Sequence, residues 1–497
     1  MCTFWNISNN GNNVSKIEQE NQKEREKRHV MQFKRDSETQ KNVKISREHR
    51  QKHQRFFHLQ QKVWTKGKMK IIFFFSFLIA GSLAKNLYPD NNNNCRNNYR
   101  YEPYSHHDNQ LSQRSAHMPS QVLVNSNSDF AFKFFREVSS NGGPRHYSRK
   151  KNIVFSPMCI SSAFAMLALG ARANTLDQIL RGLDFRPSEI QEQNIHEGFH
   201  DLIYMLNNGG SGLQVEMGNC LFVQNKLHPQ EQFLNGLRNI YGGDIYMENF
   251  KNTAETEQHI NNYVERKTHG KIAKLVDEVD PITEILLVSY MYLKAKWKKP
   301  FNPKYTEPHN FYVDPYTVVQ VPMMFQMGMF EAGHDDERSC TVVKMPYDGQ
   351  AAAYFILPDK GQVDKVASSL SCGALRTWKR VLKKSSVNVY LPKCKATGEL
   401  NLKDIMYTMG VVDVFTDRAD LSGITGQPQH RLSDAIHKAM MLIDERGTEA
   451  SAASAMDLVP MSTPSIIKFD RPFIAMVVHE NTESILFMAT ISNPAEK

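Results

Sequence analysis

The alternation of apolar and polar residues becomes regular from about Val122 onward and stays so to the C-terminus. Asp129–Glu137, DFAFKFFRE, places Phe130, Phe134 and Phe135 on one side of a helix, with charge on the other. Ile160–Leu169 is apolar almost without interruption and predicts a helix buried on all sides. Ala254–Thr268 predicts a charged surface helix. Ile285–Leu293, ILLVSYMYL, is rich in β-formers and apolar at both parities, the mark of a central strand covered on both faces. Further strands are predicted at Ala352–Leu357, Val387–Leu391, Ile466–Phe469 and Phe473–Val478. Strands and helices mix without regular βαβ alternation, so the expected fold class is α+β.

One segment resists this scheme. Gly447–Ser462, GTEASAASAMDLVPMS, lies between two apolar stretches yet is nearly all small residues as far as Ala455. Its acids Glu449 and Asp457 share one parity. The other parity reads Thr448, Ala450, Ala452, Ser454 and Met456, without charge. Successive strand side chains face opposite ways, so the segment can enter a sheet with small residues inward and charges outward. Gly, Ala and Ser make a poor permanent strand, and Ala/Ser-rich runs are commonly linkers or weak helices. Leu458-Val459-Pro460-Met461-Ser462, extended and fixed by proline, is the kind of bait a protease cleaves.

Charge changes the picture only at the N-terminus. The net charge of the 497 residues is +9. Residues 1–68 hold 16 Lys/Arg against 7 Asp/Glu, and the remaining 429 residues hold 45 of each. The basic character therefore belongs to the extension and signals no nucleic-acid partner for the body. Met69-Lys70 followed by IIFFFSFLIAGSLA to Ala84 fits a secretory signal peptide, with 1–68 as a basic polar extension outside the mature protein. That run is shorter than the roughly 20 residues of a membrane span, so no membrane association is expected of the mature form. Residues 85–121, rich in Asn, His and Ser, read as disordered. No Pro/Gly linker or repeat divides 122–497, which is expected to be one domain. The seven cysteines (Cys2, Cys95, Cys159, Cys220, Cys340, Cys372 and Cys394) are widely and irregularly spaced and form no C-x-x-C pair. They signal neither a zinc site nor a dense disulfide framework, and some are expected to be buried free thiols.

Dispersed motifs then supply a resemblance. NIVFSP (152–157), HGKIAKLV (269–276), LVSYMYLKAKWKKPF (287–301), VPMM (321–324), YLPK (390–393), ADLSGI (419–424), IHKAMMLIDERGTEA (436–450), FDRPF (469–473) and LFMATISNP (486–494) occur in order along the chain. By these, residues 122–497 resemble the serpins, in particular the secreted α1-antitrypsin-like clade. The resemblance implies a metastable α+β body with a large central sheet, further sheets, surrounding helices and an exposed reactive loop. It implies a one-shot serine-protease inhibitor, monomeric and without cofactor, whose partner is the target protease held as a covalent acyl complex. It places the scissile bond at Met461–Ser462 and the hinge at Gly447, Thr448, Glu449, Ala450, Ser451, Ala452, Ala453 and Ser454. Met461 suits an elastase- or chymotrypsin-like pocket and offers no cation to a trypsin-like one. Trp297, with Lys393 paired to Glu445, resembles the breach where the loop enters the sheet. Ser156, Cys159, Ser289 and His437 match the shutter beneath it. There the chain departs from the pattern, since the family usually carries Ser at the position of Cys159 and Asn at that of Ser289.

Competing readings remain open. A non-inhibitory serpin acting as a hormone or small-ligand carrier shares the fold, but carriers often hold a bulky or charged inward hinge residue, and Thr448, Ala450, Ala452 and Ser454 are small. His196-Glu197-x-x-His200 matches the H-E-x-x-H pattern of zinc proteases, without a third ligand or the metzincin continuation, so no metal site is expected. Arg376, Lys379, Arg380, Lys383 and Lys384 fall at i, i+3, i+4, i+7 and i+8. That spacing predicts five cations on one helical face, either a solvated surface or a site for a heparin-like glycosaminoglycan.

Overall fold

The computed structural model describes residues 121–140, 151–208, 213–446 and 464–496. In chain order the helices are α1 (Gln121–Ser139), α2 (Pro157–Ala168), α3 (Ala173–Gly182), α4 (Glu192–Asn207), α5 (Glu231–Tyr241), α6 (Thr253–Lys267), α7 (Val363–Ser369), α8 (Cys372–Val381), α9 (Leu402–Thr408) and α10 (Ser422–Thr425). The strands are β1 (Ile153–Phe155), β2 (Leu213–Gln224), β3 (Asp244–Glu248), β4 (Ile285–Ala295), β5 (Glu307–Asp314), β6 (Thr317–Asp335), β7 (Cys340–Pro346), β8 (Ala351–Pro358), β9 (Lys383–Pro392), β10 (Cys394–Asn401), β11 (Leu432–Ile443), β12 (Ser465–Lys468), β13 (Phe473–His479) and β14 (Ile485–Ile491). They form a five-stranded sheet, β10-β11-β4-β2-β3, and a nine-stranded one, β1-β14-β13-β8-β7-β6-β9-β12 with β5 beside β6. The class is α+β.

The five-stranded sheet explains why ILLVSYMYL is apolar at both parities. Leu286, Val288, Tyr290 and Tyr292 pack with Ile260, Tyr263 and Val264 of α6. Leu287, Met291 and Leu293 face the main core, which contains α2. α2 itself is buried along its whole length. Its start is fixed chemically: Pro157 occupies the first turn, and the Ser156 Oγ caps it by accepting from Cys159 N–H at 3.1 Å.

The first helix is longer than its apolar face predicts, since α1 begins at Gln121 and not near Asp129. Its N-terminal half carries Ser126, Asn127 and Ser128, all buried. Asn127 Oδ1 accepts from Ser161 Oγ of α2, so a polar stretch is held in the core by a polar contact that periodicity does not register. Phe132, off the predicted face, is buried as well.

The predicted helical face of five cations does not exist as such. α8 ends at Val381, and Leu382 is extended (φ −64°, ψ 131°). Lys383 and Lys384 open β9, paired with Ala332 and Glu331 of β6. The alternation that continues through Val387 and Val389 lets the ladder to β6 override the helical spacing of the charges. Cys159, Cys220, Cys340 and Cys394 are buried free thiols, and Cys372 is disulfide-bonded.

Candidate functional site

The seam between β4 and β11 is the centre of interest. The two strands run parallel, in register from Asp434↔Leu286 through His437↔Ser289 to Met441↔Leu293, with an irregularity between Leu432 and Asp434. The neighbours outside them, β2 and β10, are antiparallel to their partners. A chain leaving the C-terminal end of β11 and folding back would run antiparallel to β11 and therefore to β4 too. A strand antiparallel to both would find room there only if β4 and β11, paired directly with each other, first parted.

On the core side, Ser289 and His437 face each other across that seam. Ser156 N–H donates to His437 Nε2 at 3.0 Å. A backbone N–H can only donate, so Nε2 carries the lone pair. Burial pushes the His437 imidazole down to about 3, against a backbone contact at Ser289. The neutral ring must then carry its proton on Nδ1. Nδ1–H donates to Ser289 Oγ at 3.1 Å. Ser289 Oγ donates in turn to Cys159 Sγ at 3.2 Å, and Cys159 Sγ–H points to the Tyr290 carbonyl at 3.2 Å. Burial pushes the Cys159 thiol up to about 11, against contacts with Ser289 and the Gly218 and Tyr290 carbonyls, so it stays protonated and can donate. The four residues form one directed relay joining α2, β4 and β11, and sulfur is its weakest member.

At the C-terminal end of the seam the chain is held where β11 ends. Trp297 Nε1 donates to the Asp444 carbonyl at 2.8 Å, and Phe301 N–H to that of Glu445 at 2.8 Å. The indole stacks on Tyr347 at 4.3 Å between centroids. Glu445 accepts from Lys393 Nζ at 2.8 Å and from Thr306 Oγ1 at 3.0 Å. Burial pushes its carboxyl up, but these contacts outweigh burial and hold it below the usual range. Thr306 and Tyr347 were not found by sequence reasoning. They lie far from their partners in the chain, and no local pattern marks them. The hinge Gly447–Ser454 and the bond Met461–Ser462 lie outside the described residues.

The other sequence candidates separate. His196 is buried in α4, its Nδ1 bound to Tyr241 Oη at 2.6 Å, whereas His200 is exposed beside Asp201. Among the described residues no group of three His, Cys, Asp or Glu could hold a metal ion. Arg376, Lys379 and Arg380 lie on α8, where Lys379 pairs with Glu483 at 2.6 Å. No described helix is long and apolar enough to cross a membrane.

The site thus combines a parallel β4–β11 pair between antiparallel neighbours, a buried relay beneath it and the Trp297, Lys393 and Glu445 cluster at its C-terminal end. The chain belongs to the serpin family: the profile described as Serpin (serine protease inhibitor) matches residues 125–494. It is 42% identical to the alpha-1-antiproteinase of Rattus norvegicus over 377 residues, covering 76% of this chain and 90% of that one. Serpin A12 of Homo sapiens is 36% identical over 380 residues, with 76% and 90% covered. Among solved structures, human thyroxine-binding globulin complexed with its hormone (36% identical) and human glycosylated kallistatin (38%) both superpose with a TM-score of 0.71, covering 76% of this chain and 100% of theirs. The resemblance is thus to the α1-antitrypsin-like branch.

Proposed function

We propose that the protein is a secreted suicide inhibitor of serine proteases with elastase- or chymotrypsin-like specificity. The protease serine hydroxyl attacks the Met461 carbonyl carbon. An ester forms as the C–N bond to Ser462 breaks, and the freed Ser462 amine takes the proton. The cut loop then enters the β4–β11 seam as a strand and carries the tethered protease with it before water can hydrolyse the ester. The observation that carries this reading is the parallel seam at the end of which the small-residue hinge begins. A strand entering it gains a hydrogen-bond ladder on both sides, and the uninserted state is held kinetically. Incubation with pancreatic elastase, neutrophil elastase and chymotrypsin should give an SDS-stable complex. Clean cleavage after Met461 with no complex would refute inhibition.

Similarity to thyroxine-binding globulin supports a second reading, a carrier of a hormone or other small ligand. The small inward hinge residues favour inhibition over it. The cations Arg376, Lys379 and Arg380 of α8, with Lys383 and Lys384 at the start of β9, are proposed as a surface for a heparin-like polyanion. Salt-sensitive retention on heparin, lost on charge reversal at Arg380 and Lys383, is the expected result.

A further inference from the structure

The N-terminal end of the β4–β11 pair holds a cavity of about 400 Å³. An extra residue accounts for it. The ladder passes from Leu432↔Ile285 directly to Asp434↔Leu286, so Ser433 has no counterpart on β4, and a bulge of this kind bends its strand. The polar groups it frees are answered: Ser433 Oγ accepts from Glu284 N–H at 2.9 Å, and the Ser433 carbonyl from Lys403 Nζ at 2.7 Å. The connection 276–283, the start of α9 and both strands enclose the space. Val276, Val279, Leu286 and Ile436, which belong to the apolar cluster beneath α6, give it an apolar lining. Ile282, also in the lining, is 73% exposed, so apolar surface here meets water. Leu286 and Asp434 stand opposite one another on the two strands, and the cavity therefore spans the pair.

Its charges do not balance. Glu278, Asp280, Asp404 and Asp434 bring four carboxyl groups against two cations, Lys403 and Arg431. Arg431 is taken by Asp417, outside the lining, at 2.6 Å. Asp280 accepts from Ile282 N–H and Asp434 from Ala435 N–H, each at 2.9 Å. Burial, with Asp404 adding to it, pushes the Asp434 carboxyl above the usual range, against Ala435 N–H, Lys403 and Asn401. A further positive group beside Asp434 would favour its charged form.

We propose that this cavity binds an amphipathic organic cation, its ring body against Leu286 and Ile436 and its ammonium against Asp434, and that the bound molecule ties β4 to β11. The volume lies in the range that takes a small molecule. Release of water from the apolar lining supplies the driving force that an exposed charge pair alone lacks. The tying of the strands rests on the insertion reading above. A strand entering the pair would set Leu286 and Asp434 apart by about twice the ordinary strand spacing of roughly 4.8 Å, and a ligand that needs both strands would lose its site. A molecule that binds only the closed form opposes opening by mass action.

The test titrates uncleaved protein at neutral pH with naphthylmethylammonium, neutral naphthylmethanol and anionic naphthylacetate, followed by the methyl NMR signals of isoleucine, leucine and valine. The cation should bind roughly tenfold more tightly than either counterpart and shift the methyls of Leu286 and Ile436. Asp434→Asn should remove that preference and Asp434→Glu should retain it. Binding indifferent to the compound's charge, or shifts confined to methyls elsewhere, would overturn the site. Protein cut in the loop should bind the cation at least about tenfold more weakly than uncut protein. If cutting raises the guanidinium midpoint yet leaves the affinity unchanged, the tie between the strands is overturned while insertion stands. If cutting does not raise the midpoint, insertion fails and the tie with it, and the titration of uncut protein still decides the site. Should Asp434→Asn not fold, the contrast among the three compounds on wild-type protein decides.

Discussion

Removing one oxygen from the seam tests how the uninserted sheet is held closed. Ser289→Ala deletes the hydroxyl that accepts from His437 Nδ1 and donates to Cys159 Sγ. His437 is fully buried, and Ser156 N–H already occupies its Nε2, so the ring cannot flip its tautomer to escape. Its Nδ1–H is left without an acceptor, at a cost of about 1–3 kcal/mol. The lost donor to sulfur adds a few tenths of a kcal/mol at most, roughly, because thioethers and thiols are weak acceptors. The expected loss is therefore about 2 kcal/mol in the uncleaved protein, read as a lower guanidinium midpoint at unchanged slope. On the proposed mechanism a strand comes between β4 and β11, and their separation grows from about 4.8 Å to about twice that. The bond across the seam cannot survive this, so the cost should largely vanish in the cleaved form. A loss below about 0.5 kcal/mol in uncleaved protein, or an equal loss in both forms, would refute the assigned role of the relay. Repeating the measurement on a His437→Ala background should abolish most of the effect, since the orphaned donor is then absent.

Other expectations follow from the same site. Thr448→Arg, which sets a long charged side chain on the inward parity, should convert inhibition to substrate turnover, seen on gels as cleaved protein in place of complex. Lys393→Ala should lower stability at pH 7 by about 1 kcal/mol, a modest figure because the lysine is half-exposed. Glu445 has a depressed folded-state pKa, so that difference is present above its unfolded pKa and should close as pH falls through the folded one. His437 also has a depressed pKa, about 3 in the folded state. Wild-type stability should therefore fall by up to about 1.4 kcal/mol per pH unit as acid is added from pH 6.5 toward 4, and His437→Gln should flatten that slope.

Much of this body can be read from patterning, and the reasons it fails elsewhere are physical. Continuous apolar runs give α2 and β4 because a fully covered element has no polar face to place. The start of α1 is hidden because Asn127 is satisfied inside the core by Ser161 of α2, a contact 34 residues away along the chain. The five-cation face fails because helical spacing of charges is a weak signal, whereas pairing of Lys383 and Lys384 with β6 is a long-range fact. Trp297, Lys393 and Glu445 are legible only through the family resemblance. Their supporters Tyr347 and Thr306 leave no trace in the local sequence. The direction of the relay depends on a tautomer, which follows from Ser156 N–H and is visible only in three dimensions.

The departures at Cys159 and Ser289 bear on the parting of β4 and β11 that the proposed mechanism requires. The relay of His437, Ser289 and Cys159 spans the middle of the sheet, and all of its terms belong to the closed state. Ending it on a thiol, a poorer acceptor than a hydroxyl, lowers what must be lost when β4 and β11 part. On the proposed mechanism that favours entry of the loop. On that mechanism an acyl-enzyme persists only if the strand is completed before the ester is hydrolysed, so the partition between trapping and release should respond to the strength of this relay.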